Sequence, residues 1–311
     1  MGKVWAIAFN TFKEAVRNRI LYILLIFAIV LLLFSGVVQD LTVSAQGRVI
    51  RSLGLGCINI FGLLIAVFVG IGLVYNELDK KTIYTIISKP IDRWQFILGK
   101  YFGLLLTIYI NVIIMSLFFY FSLYWQSYTS DEVMAKIYAS QPPGETFGPV
   151  QHAAYLGWSA LRSLAFALKT LFFLTDPVTR YLPIVNLMTC LELAIVTAFV
   201  ILYSSFSTPT LSALLTIFTF VIGRCNEDIV RYTMYLQRKG LTTSAAYVKY
   251  HLAQFIAHVA PNLKIYYSDT SYRALSDLPV SLDPFVVAYA IVYPALFLTL
   301  AVLIFRRRNF K

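Results

Sequence analysis

The chain reads as an all-α integral membrane protein with six transmembrane helices. Three observations lead there. Of 311 residues, 59% are hydrophobic and 13% charged, against roughly 45–50% and 25% in soluble domains. Six apolar runs approach the length of about 20 residues that a spanning helix needs. The Lys and Arg residues are spread unevenly over the segments between those runs. The net charge of +11 is thus a record of topology, and no nucleic-acid partner is expected.

The first segment, "VWAIAFNTFKEAVRNR", repeats Val4, Ile7, Ala8, Phe12 and Ala15 at helical spacing, with Lys13 and Arg17 on the other side. That pattern predicts an interfacial helix over residues 1–19. The following apolar run is too long for a signal sequence, so the segment is expected to be retained. The spans are expected at 20–38, 53–74 (glycine-rich), 96–124, 182–203, 210–223 (short) and 284–305. Thr208 and Pro209 suit the cap and first turn of the fifth.

Two long connections remain, 125–181 and 224–283. Within the first, "YLGWSALRSLAFALKTLFFL" aligns Ser159, Arg162, Ser163, Lys169 and Thr170 on one helical stripe. Two cations two turns apart make burial at the bilayer centre costly, so an interfacial helix is expected. "AAYVKYHLAQFIAHVAP" is a weaker case of the same kind.

Six spans put both termini and the loop 75–95 on one side. Residues 1–19, 75–100 and 306–311 hold 13 of the 26 Lys and Arg residues in about 51 positions, and the other side holds 13 in about 131. The denser side, which includes the closing "RRRNFK", is read as cytoplasmic. The two long connections are then extracytoplasmic.

Several chemistries find no support. "FILGKYFG" has Gly-Lys without the rest of a phosphate-binding loop, and no HExxH or GxSxG occurs. Cys57, Cys190 and Cys225 are odd in number and lack metal spacing. Neither a metal nor a cofactor is expected in this chain. Glu192, in "MTCLELAIVTAF", is an ionisable group in mid-span and a functional candidate for that reason. A structural role is favoured for it, hydrogen-bonded to Asn59, Asn111 or a basic residue near the interface. Gly99 and Gly103, in "GKYFG", form a small-xxx-small pair suited to close helix packing.

The stretch "YNELDKKTIYTIISKPIDRWQFILGKYFGLLL" resembles the signature of ABC type-2 exporter permeases. The matching positions are Glu77, Thr82, Pro90, Arg93, Gly99 and Lys100; Lys81 stands where the family often has Gly. The resemblance extends through "ILYSSFSTPTLSALLTIFTFVIG", "APNL" at 260–263 and "VLIFRRRNFK", and excludes the 125–181 insertion. It implies a non-catalytic, dimerising permease, paired with a second copy or a paralogue. ATP and Mg would be bound by separate ABC ATPase subunits, and the setting would be a bacterial cytoplasmic membrane.

The resemblance also implies a short coupling helix between the second and third spans that docks on the ATPase. In "KTIYTIIS", Ile83, Ile86 and Ile87 share one face, and Pro90 ends the turn. The docking set is then Glu77, Asp79, Thr82, Ile83, Ile86, Pro90 and Arg93. The second and fifth spans are the expected dimer faces.

Two other readings stand beside this one. One is a self-contained carrier or channel, disfavoured by spans nearly free of ionisable groups. The other is a membrane-embedded enzyme using Asp131, Glu132, His152, Asp176, His251 or His258, whose spacing converges on no mechanism. The substrate is left open among lipids, peptides, antibiotics and metal-related cargo.

Overall fold

The computed structural model describes residues 2–40, 46–79, 92–129, 149–171, 182–239, 244–266 and 283–307. The described residues are helical, without strands. Among the described residues the longer helices are, in chain order, α1 Gly2–Val16, α2 Arg19–Asp40, α3 Gln46–Asp79, α4 Arg93–Thr129, α5 Pro149–Leu171, α6 Leu182–Ser204, α7 Pro209–Arg224, α8 Asn226–Lys239, α9 Ser244–Val259 and α10 Pro284–Arg307.

Among the described residues, four stretches are long and apolar enough to cross a membrane: Arg51–Leu73, Arg93–Trp125, Leu182–Ser204 and Pro284–Arg306. A fifth follows if the bent pair α1 and α2 is taken together. The expected fifth span, α7, has 16 residues, or about 24 Å at 1.5 Å per residue. That falls short of the ~30 Å hydrocarbon core, and so length supports four to five spans where the apolar runs suggested six.

The helices overrun the expected loops. α3 continues through Asp79 and α4 begins at Arg93, which narrows the expected 75–95 loop to the residues between. Thr208 does occupy the cap position of α7 with Pro209 behind it, but its side chain makes no capping bond. Ser207 Oγ and Ser212 Oγ, 2.7 Å apart, tie the turn instead.

α6 is the axis of the bundle. It packs on α3, α4, α7 and α10, and 78% of its span is buried. Its small and polar residues permit this, since helices in lipid associate through close packing and hydrogen bonds rather than through apolarity. Thr189 and Thr197 return their hydroxyls to the carbonyls one turn back. Asn186 donates to Ser116 Oγ at 2.8 Å and to the Tyr120 hydroxyl, joining α6 to α4. On α3, a Cβ at Gly62 would meet Leu193 at 2.6 Å, and one at Gly70 would meet Val200 at 2.8 Å.

α1 meets α2 at 65°, the break falling at Arg17–Asn18, where Asn18 Oδ1 accepts the Ile20 N–H. Ala8 and Ala15 of the expected apolar side are buried together with Thr11, and α1 packs on α4. Trp5 and Phe9 are its large hydrophobic side chains left exposed.

The stripe expected on α5 divides. Ser159, Ser163 and Thr170 are buried and return their hydroxyls to local carbonyls. α5 packs on α4, with Phe166 stacked on Tyr124 at 4.6 Å. Arg162 and Lys169 are exposed, beside Trp158, Leu161 and Leu168.

α8 and α9 form a helical hairpin that returns to the bundle at "APNL". Leu263 N–H donates to the Gly223 carbonyl at 3.0 Å, Asn262 N–H to the Tyr289 hydroxyl at 2.7 Å, and Tyr266 to the Val286 carbonyl at 2.9 Å. Asn226 caps the end of α9 by donating to the carbonyls of Ala257 and Ala260.

Candidate functional site: a buried ion pair and a convergent helix end

Glu192 is fully buried on α6. Its Oε1 accepts Arg224 Nε–H at 2.8 Å, and its Oε2 accepts Arg224 Nη2–H at 2.7 Å. Asn59 Nδ2 donates to Oε2 at 2.7 Å. α3, α6 and α7 therefore share one polar node. The two-point guanidinium contact is the strong form of the interaction, and it lets a charge persist where lone burial is costly. Arg224 also lies over the Phe220 ring at 5.1 Å, and its side chain keeps 20% exposure.

Of the alternatives expected for Glu192, Asn59 and a basic residue, here Arg224, both bind it. Asn111 points elsewhere, donating to the Thr107 carbonyl. Arg224 was not singled out by sequence reasoning, although hairpin register contains the signal. Counting 12 residues back from Ser204 reaches Glu192, and counting 15 forward from Pro209 reaches Arg224. At 1.5 Å per residue both lie roughly 20 Å from the α6–α7 turn.

Tyr266 stands close enough to feel this node. Burial raises its hydroxyl pKa, and the Glu192 carboxylate raises it further. The hydroxyl therefore stays protonated and donates to Val286.

A second assembly forms where α10 ends. Arg93, the first residue of α4, donates from Nη1 to the carbonyls of Phe305 (3.1 Å) and Arg306 (2.9 Å). A cation there completes the last turn of α10 and opposes its dipole. Phe96 stacks on Phe305 at 6.0 Å. Lys100 is buried and donates to the Leu73 carbonyl of α3 at 2.8 Å.

Gly99 and Gly103 seat α1 at this end. A Cβ on Gly103 would fall 2.5 Å from the Ala8 carbonyl oxygen and 2.6 Å from Thr11 Cβ; one on Gly99 would fall 2.6 Å from Ile7. Both glycines are thus required for the approach of α1.

Of the expected docking residues, Arg93 is the one whose side chain is placed, and it binds the chain's own last span. Glu77 and Asp79 belong to the last turn of α3, with side chains outside the described residues. Thr82, Ile83, Ile86, Ile87 and Pro90 lie outside the described residues altogether. Among the acids and histidines weighed for an enzyme, Asp131, Glu132, Asp176 and the His152 side chain lie outside as well. His251 packs against Tyr247, and His258 Nδ1 meets the Gln254 carbonyl. No group of three metal-ligating side chains occurs among the described residues.

Apolar spans around a central helix define a multi-pass integral membrane protein. The model of the family described as "ABC-2 family transporter protein" matches residues 5–310, and the chain belongs to that family. It is a membrane permease component of an ABC transporter, a family that implies partnership with ABC ATPase subunits. No curated protein matches the chain.

Proposed function

We propose that the chain is the membrane-spanning subunit of an ABC exporter, driven by separate ATPase subunits through residues 77–93. The observation that carries this reading is the convergence at the end of α10. α1 rests on Gly99 and Gly103, Arg93 holds the last carbonyls of α10, and Lys100 reaches α3. Force applied to the segment between α3 and α4 therefore reaches four helices at once. That end also carries the dense Lys and Arg of residues 1–19, 75–100 and 306–311, which is the cytoplasmic mark.

In this reading both termini are cytoplasmic, in a bacterial cytoplasmic membrane. The six spans are α2, α3, α4, α6, α7 and α10, with residues 260–266 packed at the short end of α7. The permease works with a second copy or a similar chain. α7 presents Leu211, Leu214, Phe218 and Val221, all exposed, as one face at helical spacing. Gly54, Gly62 and Gly70 of α3 are occupied within the chain, which leaves α7 as the better dimer face.

The test is recovery of the ATPase. Tagged chain from native membranes is expected to bring down an ABC ATPase with ATP-hydrolysing activity. Ile83→Asp and Ile86→Asp are expected to lose the ATPase while insertion and thermal midpoint hold. Undiminished recovery from both variants rejects the docking assignment. Labelling of a cysteine at position 310 by an impermeant reagent from the outer face rejects the topology.

A further inference from the structure

α4, α6 and α10 enclose a groove of about 740 Å³. Its rim residues Trp94, Phe102, Ile291 and Leu303 are exposed, and so it opens sideways toward lipid. Along α10 it runs from Ala290 to Leu303, roughly 20 Å at 1.5 Å per residue. A ~30 Å hydrocarbon core gives each leaflet about 15 Å, so the groove is long enough to take a whole acyl chain of one leaflet.

Its walls offer hydrocarbon contact. The bordering hydroxyls of Tyr101 and Thr299 already donate to the carbonyls of Ala194 (3.3 Å) and Leu296 (2.7 Å). Polarity begins where α10 stops. The Trp94 indole forms the rim there, and indoles favour the headgroup level of a membrane. Arg306 is exposed and stands three and four residues beyond Leu303 and Val302, on the same helix face. Arg93 beside it adds positive charge while its guanidinium holds the α10 carbonyls.

We propose that this groove binds one anionic phospholipid, its acyl chain between α4 and α10 and its phosphate at Arg306. An apolar slot long enough for one acyl chain, ending in an indole and a guanidinium, matches an amphiphile with one negative head. A soluble anion would leave the slot unused, and a zwitterionic lipid would bring its own cation beside the guanidinium, so a net negative headgroup is preferred.

The test uses the full chain in vesicles of equal phosphatidylglycerol and phosphatidylcholine, with retained lipid counted by native mass spectrometry. The wild type is expected to keep one phosphatidylglycerol per chain. Ala295→Trp is expected to lose it, because Ala295 lines the groove from an exposed position and the indole occupies the slot. Arg306→Gln is expected to lower the preference for phosphatidylglycerol about fivefold, the worth of one basic residue near an anionic surface. A photoreactive residue at Leu303 is expected to give a phosphatidylglycerol adduct, and it keeps the proposal testable should Ala295→Trp fail to fold. Equal retention of the two lipids overturns the proposal. So does full retention by folded Ala295→Trp, or an adduct of Leu303 to a second copy or another protein in place of lipid.

Discussion

α6 and α10 look alike as sequences and behave as opposites. Each supplies an apolar span of 23 residues, yet 78% of the first is buried within the chain and 22% of the second. Apolarity therefore places a helix in the membrane without saying where it stands in the bundle. In water the most hydrophobic helix goes to the centre; in lipid that drive is absent. The distinction lies in the polar residues. Asn186, Thr189, Glu192 and Thr197 of α6 are all buried, whereas Thr299 of α10 faces outward.

The largest effect is expected where α6 holds its charge. Glu192→Leu leaves Arg224 without its carboxylate, and removing one member of a buried pair costs about 3–5 kcal/mol. Replacing both, Glu192→Leu with Arg224→Leu, is expected to recover most of that loss, because a well-packed apolar pair is often as stable as a buried ion pair. Thermal midpoints of the four variants in one detergent form the cycle. A double variant no more stable than the single one would contradict a pairwise origin. Glu192→Gln is expected to be milder than Glu192→Leu, since the amide oxygen still accepts and Arg224 keeps contact with solvent.

The same truncation on the two helices isolates packing. Phe199 of α6 is 1% exposed and its ring lies 4.6 Å from that of Phe297. Phe199→Ala is expected to cost about 3 kcal/mol, the lower end for a buried aromatic. Leu296→Ala, on the outer face of α10, is expected to stay within about 0.5 kcal/mol. Comparable losses from the two would mean that α10 is covered by something within the folded assembly.

Gly103→Leu probes the seat of α1 and is expected to cost roughly 1–3 kcal/mol, as overpacking does. Limited proteolysis should then cut within α1 while α6 stays protected. A smaller effect than that of Gly103→Leu belongs to Arg93→Ala, about 0.3–1 kcal/mol for a cation at a helix C-terminus. Faster amide exchange confined to the last turn of α10 is its signature, and exchange unchanged there would detach Arg93 from that role.

Much of this was legible in the chain. Residue periodicity found the apolar side of α1, apolar length found the four long spans, and the cost of a mid-span carboxylate marked Glu192 and offered Asn59 among its partners. Arg224 escaped because its nearest sequence context is the end of an apolar run, where a cation reads as an interface marker. The small-xxx-small pair at Gly99 and Gly103 was visible, but its partner was not: α1 is nearly a hundred residues away in the chain, and the spacing carries no information about what fills the gap.

The sequence by itself determined the solvent of this protein, its helices and its family, because those depend on local composition, on periodicity and on a contiguous signature. Tertiary structure alone decided which apolar helix became the axis, which cation met Glu192, and that Arg93 would hold the end of α10. Each of those is a choice among groups of equal local chemistry. It is settled by the height and angle at which helices meet, and contacts between residues 32 and 213 positions apart leave no trace in the spacing of either one.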